Sequence, residues 1–87
     1  MATVFIPPTM RSLTGEVTSV ELDGKNVRQI IQKLDEAFPG AADWLCDDHQ
    51  LRPGLSVSVG GQIATLGLLQ PVTSEDEIHF LPIVGGG

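Results

Sequence analysis

One stretch restricts this chain more than any other. "NVRQIIQKLDEAF" puts Val27, Ile30, Ile31, Leu34 and Phe38 at helical spacing on a single face. Asn26 can cap its first turn, with Gln29 at the reciprocal capping position. Pro39-Gly40 ends it, because a residue before proline avoids the α region. The helix is amphipathic, so its apolar face has to be covered. The rest of the sequence offers only strands to cover it.

Those strands lie on both sides of the helix. "TVFIP" (Thr3 to Pro7) is rich in β-formers and stops at Pro7-Pro8. A turn at Thr14-Gly15 leads to "VTSVEL", with Thr18, Val20 and Leu22 on one face and Asp23-Gly24 closing it. The two strands are expected to form a hairpin with a long loop. After the helix, "AADWLCDD" reads as a short helical turn in which Trp44 and Leu45 cover an edge of the core. "LSVSV" alternates, placing Leu55, Val57 and Val59 inward and two serines outward. Gly60-Gly61 supplies the positive φ angles of a tight hairpin, and "QIATL" returns from it. Leu66 to Val72 is apolar but broken by Gly67 and Pro71, which suits a packed loop. "EIHFLPIV" is the last strand, with Ile78 and Phe80 on one side and His79 and Leu81 on the other.

The order is β-β-α-β-β, with a possible fifth strand. A single helix buried on such strands predicts an α+β chain: a mixed four- to five-stranded sheet packed on one main helix, first and last strands parallel neighbours. That is the β-grasp, or ubiquitin-like, arrangement. Residues 1–84 form the domain and residues 85–87 a flexible glycine tail. At 87 residues the chain fits one domain.

Charge narrows the partners. Five Lys and Arg against 11 Asp and Glu give a net charge of −6, which argues against nucleic acid because phosphate binding needs clustered cations. An acidic surface suits a basic docking surface on another protein. The lone Cys46 can form no internal disulfide, which fits a reducing compartment. No signal peptide or membrane-length apolar run is visible, so the cytoplasm is the expected location.

Catalytic machinery is hard to find. "CDDH" (Cys46 to His49) collects metal-ligating atom types, but adjacent residues rarely converge on one ion, and no metal site is assigned. Cys46 with His49 lacks the third group that would orient a base, so a small half-buried thiol is the simpler reading. Glu75, Asp76 and Glu77 form a contiguous run that suits a solvated turn rather than converging acids. "SVGGQIATLG" has neither the spacing nor the lysine of a phosphate loop.

The remaining anomaly is the terminal "GGG". Gly85 and Gly86 lack Cβ atoms and can thread a channel too narrow for other residues. A carboxylate on Gly87 is a chemical handle. Resonance and charge make a carboxylate a poor electrophile, and joining it to AMP makes a mixed anhydride that sulfur or nitrogen can attack. Such activation needs ATP, Mg²⁺ and a cationic site, all brought by a partner enzyme; this chain is expected to bind no cofactor and to be a substrate rather than an enzyme.

With the strand order in place, the chain resembles the bacterial ThiS/MoaD-like sulfur carriers. "VFIPPTMRSLTG" (Val4 to Gly15) resembles the opening strand and loop of the cysteine-synthesis branch. "DEIHFLPIVGGG" (Asp76 to Gly87) resembles the family's closing strand and diglycine. The family usually ends on two glycines, and Gly85 makes three here. The resemblance implies an adenylyltransferase of the ubiquitin-activating type acting on Gly87. A sulfur donor would then displace AMP to leave a thiocarboxylate. A sulfur-accepting synthase would take that sulfur in making cysteine, molybdopterin, thiamine or a related metabolite. Two alternatives use the same tail: a ubiquitin-like modifier joined through Gly87 to lysines, and the small subunit of molybdopterin synthase. Partner docking is expected on the sheet face away from the helix, at Leu81 and Ile83, extended by Leu68 or Leu69.

Overall fold

The computed structural model describes residues 1–48 and 50–82. Helix α1 spans Val27–Ala37, and its apolar side is inside: Val27, Ile30, Ile31 and Leu34 are all buried. Burying each of these side chains contributes roughly 1.5–3 kcal/mol before conformational entropy is counted. At its start, the Gln29 N–H donates to Asn26 Oδ1 at 2.9 Å. Gln29 Oε1 accepts from the Lys25 N–H at 2.8 Å, one residue earlier than the usual reciprocal bond to the cap. The backbone here is tied to a distant segment instead. The Val27 N–H donates to the Gln70 carbonyl and the Val72 N–H donates to the Lys25 carbonyl.

The helix lies on a five-stranded sheet. Strands β1 (Ala2–Phe5) and β2 (Ser19–Leu22) pair antiparallel around a long loop, which contains a 3₁₀ turn at Pro8–Met10. Strand β5 (Leu55–Val59) turns through Gly60 and Gly61, both at positive φ, into β6 (Gln62–Ile63). Strand β7 (Glu77–Pro82) runs between β1 and β5, parallel to the first and antiparallel to the second, giving the order β2-β1-β7-β5-β6. This is the expected β-grasp arrangement. Val4, Ile6, Val57, Ile78 and Phe80 meet the helix in one core with Met10, Ala41 and Leu45.

The segment after the helix differs from expectation. Helix α2 (Ala41–Leu45) buries Leu45 but leaves Trp44 46% exposed, so Trp44 does not close the core. Asp35 Oδ1 accepts from the backbone N–H groups of Gly40 and Ala42, which fixes the turn and so decides which way α2 faces. Two-residue strands β3 (Cys46–Asp47) and β4 (Gln50–Leu51) then make a separate small sheet. They are too short to carry a periodic signal. A 3₁₀ turn at Gly67–Leu69 packs by α1 and β4.

Candidate functional site

Strand β7 delivers the end of the chain from the middle of the sheet. Its first half is held from both sides, since Thr3, Val4 and Phe5 pair with Glu77, Ile78 and His79, while β5 pairs from Ile78 to Pro82. Beyond His79 the β1 side carries no pairing, and Pro82, which has no N–H to donate, falls there. Before the strand, Asp76 acts as a tie. Its Oδ2 accepts from the Thr73 N–H, and its carbonyl accepts from the Thr3 N–H. The acidic run is therefore not merely a solvated turn: Asp76 builds the loop that aims β7. Ile83, Gly85, Gly86 and Gly87, named above for docking, threading and chemistry, lie outside the described residues.

The outward face of the sheet can be followed through the pairings. Ser19, Phe5, His79, Ser58 and Ile63 form one row across it. The Phe5 and His79 rings stack at 4.3 Å and 5°, making a flat aromatic platform. Glu77 Oε1 lies 3.8 Å from His79 Nε2, an exposed pair worth little. Leu81 sits one row further along, 38% exposed and opposite Ser56. Ser58 faces outward as expected, yet only 8% of it is exposed. Sequence reasoning picked out Leu81 and missed Phe5 and Ile63, whose place in the row through His79 is set by register between strands far apart in sequence.

Leu68 and Leu69 do not extend this face. The Gly67–Leu69 turn carries them to the helix side, where they line an open groove of about 900 Å³ with Ile31, Cys46, Leu51 and Leu66. The physical reason is the backbone tie between Lys25–Val27 and Gln70–Val72, which holds this segment against the start of α1. Leu68 is partly buried on the core, and Leu69 is 69% exposed.

Cys46 borders the same groove. Burial pushes its thiol above the ordinary range; Arg52 draws it back in part, and Asp43 adds to the rise. The thiol is thus poorly suited to act as a thiolate nucleophile near neutral pH. His49, its imagined partner, lies outside the described residues. Among the described residues no three His, Cys, Asp or Glu gather as a metal site, and no helix is long and apolar enough to cross a membrane.

The parallel β1–β7 pair, the flanking hairpins and the single long helix define a ubiquitin-like β-grasp protein. The ThiS family model matches residues 4–87, and the chain belongs to that family. Among solved structures, a chain of the Amycolatopsis orientalis BexX/CysO complex is 31% identical with a TM-score of 0.89, each chain covered over 100% of its length. CysO of Mycobacterium tuberculosis is 26% identical with a TM-score of 0.88, over 97% of this chain and 100% of that one. SAMP1 of Haloferax volcanii is 25% identical with a TM-score of 0.73, over 99% and 98%. No curated protein sequence matches.

Proposed function

We propose that this chain is a sulfur carrier, activated at the carboxylate of Gly87 inside a partner enzyme. The observation that carries the reading is the ThiS-family match reaching Gly87, on a β-grasp body whose last strand lies mid-sheet. An adenylyltransferase of the ubiquitin-activating type supplies ATP, Mg²⁺ and the cationic site. The carboxylate oxygen attacks the α-phosphorus of ATP and pyrophosphate leaves. Hydrosulfide then attacks the acyl carbon, the bond to AMP breaks, and a C-terminal thiocarboxylate remains. Gly85 and Gly86 let the chain pass a narrow channel, because neither carries a Cβ. Leu81, with Phe5, His79 and Ile63 in the neighbouring row of the same face, forms the docking surface, joined by Ile83. The sulfur goes to a synthase in cysteine, molybdopterin or thiamine formation, and the resemblance of Val4 to Gly15 favours cysteine.

A modifier joined to lysines is the second reading, favoured by the similarity to SAMP1, whose name expands to small archaeal modifier protein 1. Deleting Gly87 tests what both share. Pyrophosphate release in the presence of the adenylyltransferase is expected to vanish while the melting temperature stays unchanged. Undiminished release from the shortened chain would overturn the role of Gly87.

A further inference from the structure

Strand β7 ends at Pro82, which pairs with Leu55 at the start of β5. Leu55 also lines an open hollow of about 590 Å³, walled by Asp43, Trp44, Arg52 and Pro53. Trp44 is the chain's single tryptophan, and 46% of it is exposed. The Arg52 guanidinium donates from Nε and Nη2 to the Asp43 carbonyl oxygen, at 2.9 and 2.6 Å. Those two bonds fix the plane of the group. Among the described residues no carboxylate lies within ion-pair distance of it, although Asp43 lines the same hollow.

We propose that this hollow is a second contact surface for the enzyme that activates the tail. An apolar side chain of that enzyme packs on Trp44, and a carboxylate beside it pairs with Arg52. The proposal rests on the carrier reading above. Its warrant is reach: the five residues after Pro82 span at most about 17 Å, so the channel that receives Gly87 must open close to the Leu55–Pro82 pair. The enzyme then has to cover surface near that pair. Tryptophan and arginine are the residue types that most often carry binding energy at interfaces, and a pre-fixed guanidinium fork loses little freedom on pairing. The outward sheet face with Leu81 is a separate surface.

The test uses the host's own adenylyltransferase, with calorimetry for binding and pyrophosphate release for turnover. Trp44→Ala and Arg52→Glu are expected to raise Kd and KM by about tenfold or more with kcat nearly unchanged, and Arg52→Lys to lose less. Arg52→Gln serves where the charge reversal disturbs folding, and thermal melts identify such a case. A structural role alone would lower the melting temperature without separating KM from kcat. Pyrophosphate release by the parent chain, with Kd within twofold in both Trp44→Ala and the Arg52 variants, would overturn the surface and leave the carrier reading standing. Trp44-dependent binding without any pyrophosphate release would support the surface and overturn the carrier reading. Neither binding nor release would overturn both.

Discussion

Along β7, Ile78 and Phe80 point into the core and are 0% and 4% exposed, whereas Leu81 on the opposite face keeps 38% of its surface in water. The two sets share one backbone and alternate residue by residue. The inward set holds the strand to the helix, and its cost on removal is a cavity. The outward set lies off the core, with His79 stacked on Phe5 and Leu81 left open to a partner. On the proposed carrier reading this separation matters, because partners would meet the outward face while the core holds the strand in place.

The comparison breaks most readily at Ile78. Replacing it with alanine empties a fully buried site and should cost about 2–4 kcal/mol. For a domain of this size each kcal/mol lowers Tm by about 4–8 °C, so circular dichroism melts should show a fall of roughly 10 °C or more. A fall no larger than that of Leu81→Ala would mean that the two faces do not differ as described.

Next in size is the turn at the far end of β5. Gly60 has φ +61°, and a Cβ there would stand 2.8 Å from Asp76 Oδ1, while Gly61 at φ +86° faces open space. Gly60→Ala should therefore cost about 1–3 kcal/mol by denaturant melts, more than Gly61→Ala, which bears only the left-handed backbone penalty. Equal costs would show that Asp76 is not held where it ties β7 to the sheet.

Leu81→Ser should change stability by no more than about 0.5 kcal/mol in the same melts. Its effect belongs to binding, as a raised Kd for the adenylyltransferase in calorimetry. Unchanged affinity would remove Leu81 from the docking surface. The smallest effect concerns Cys46. Burial raises its thiol pKa, so at a given pH the folded chain holds less thiolate than a free cysteine. Iodoacetamide should alkylate it more slowly than an unfolded control, with the gap closing as pH rises through the elevated pKa. A faster rate than the control would reverse the sign.

The helix and the long strands were legible because period and burial agree: Val27 to Leu34 and Ile78 with Phe80 face the core as their spacing requires. The parallel pairing of β1 and β7 followed from element order. Less visible was anything decided by contacts between distant segments. Strands β3 and β4 are two residues each and present no pattern. Trp44 looks like a core residue by type, yet the Asp35 bonds to Gly40 and Ala42 set the facing of α2 and leave it exposed. Asp76 reads as one more acid until its bond to the Thr73 N–H is seen. Leu68 and Leu69 went to the helix side through the Lys25–Val72 and Gln70–Val27 bonds, which no local spacing encodes.

On the proposed carrier reading, the Gly87 carboxylate is the reactive group. Intact-mass analysis of the full chain, incubated with the adenylyltransferase, ATP, Mg²⁺ and sulfide, tests it most directly. The mass should rise by one sulfur replacing one oxygen, located to Gly87 by fragmentation and absent when ATP is withheld. An unchanged terminus under those conditions, with the enzyme shown to be active, would contradict it.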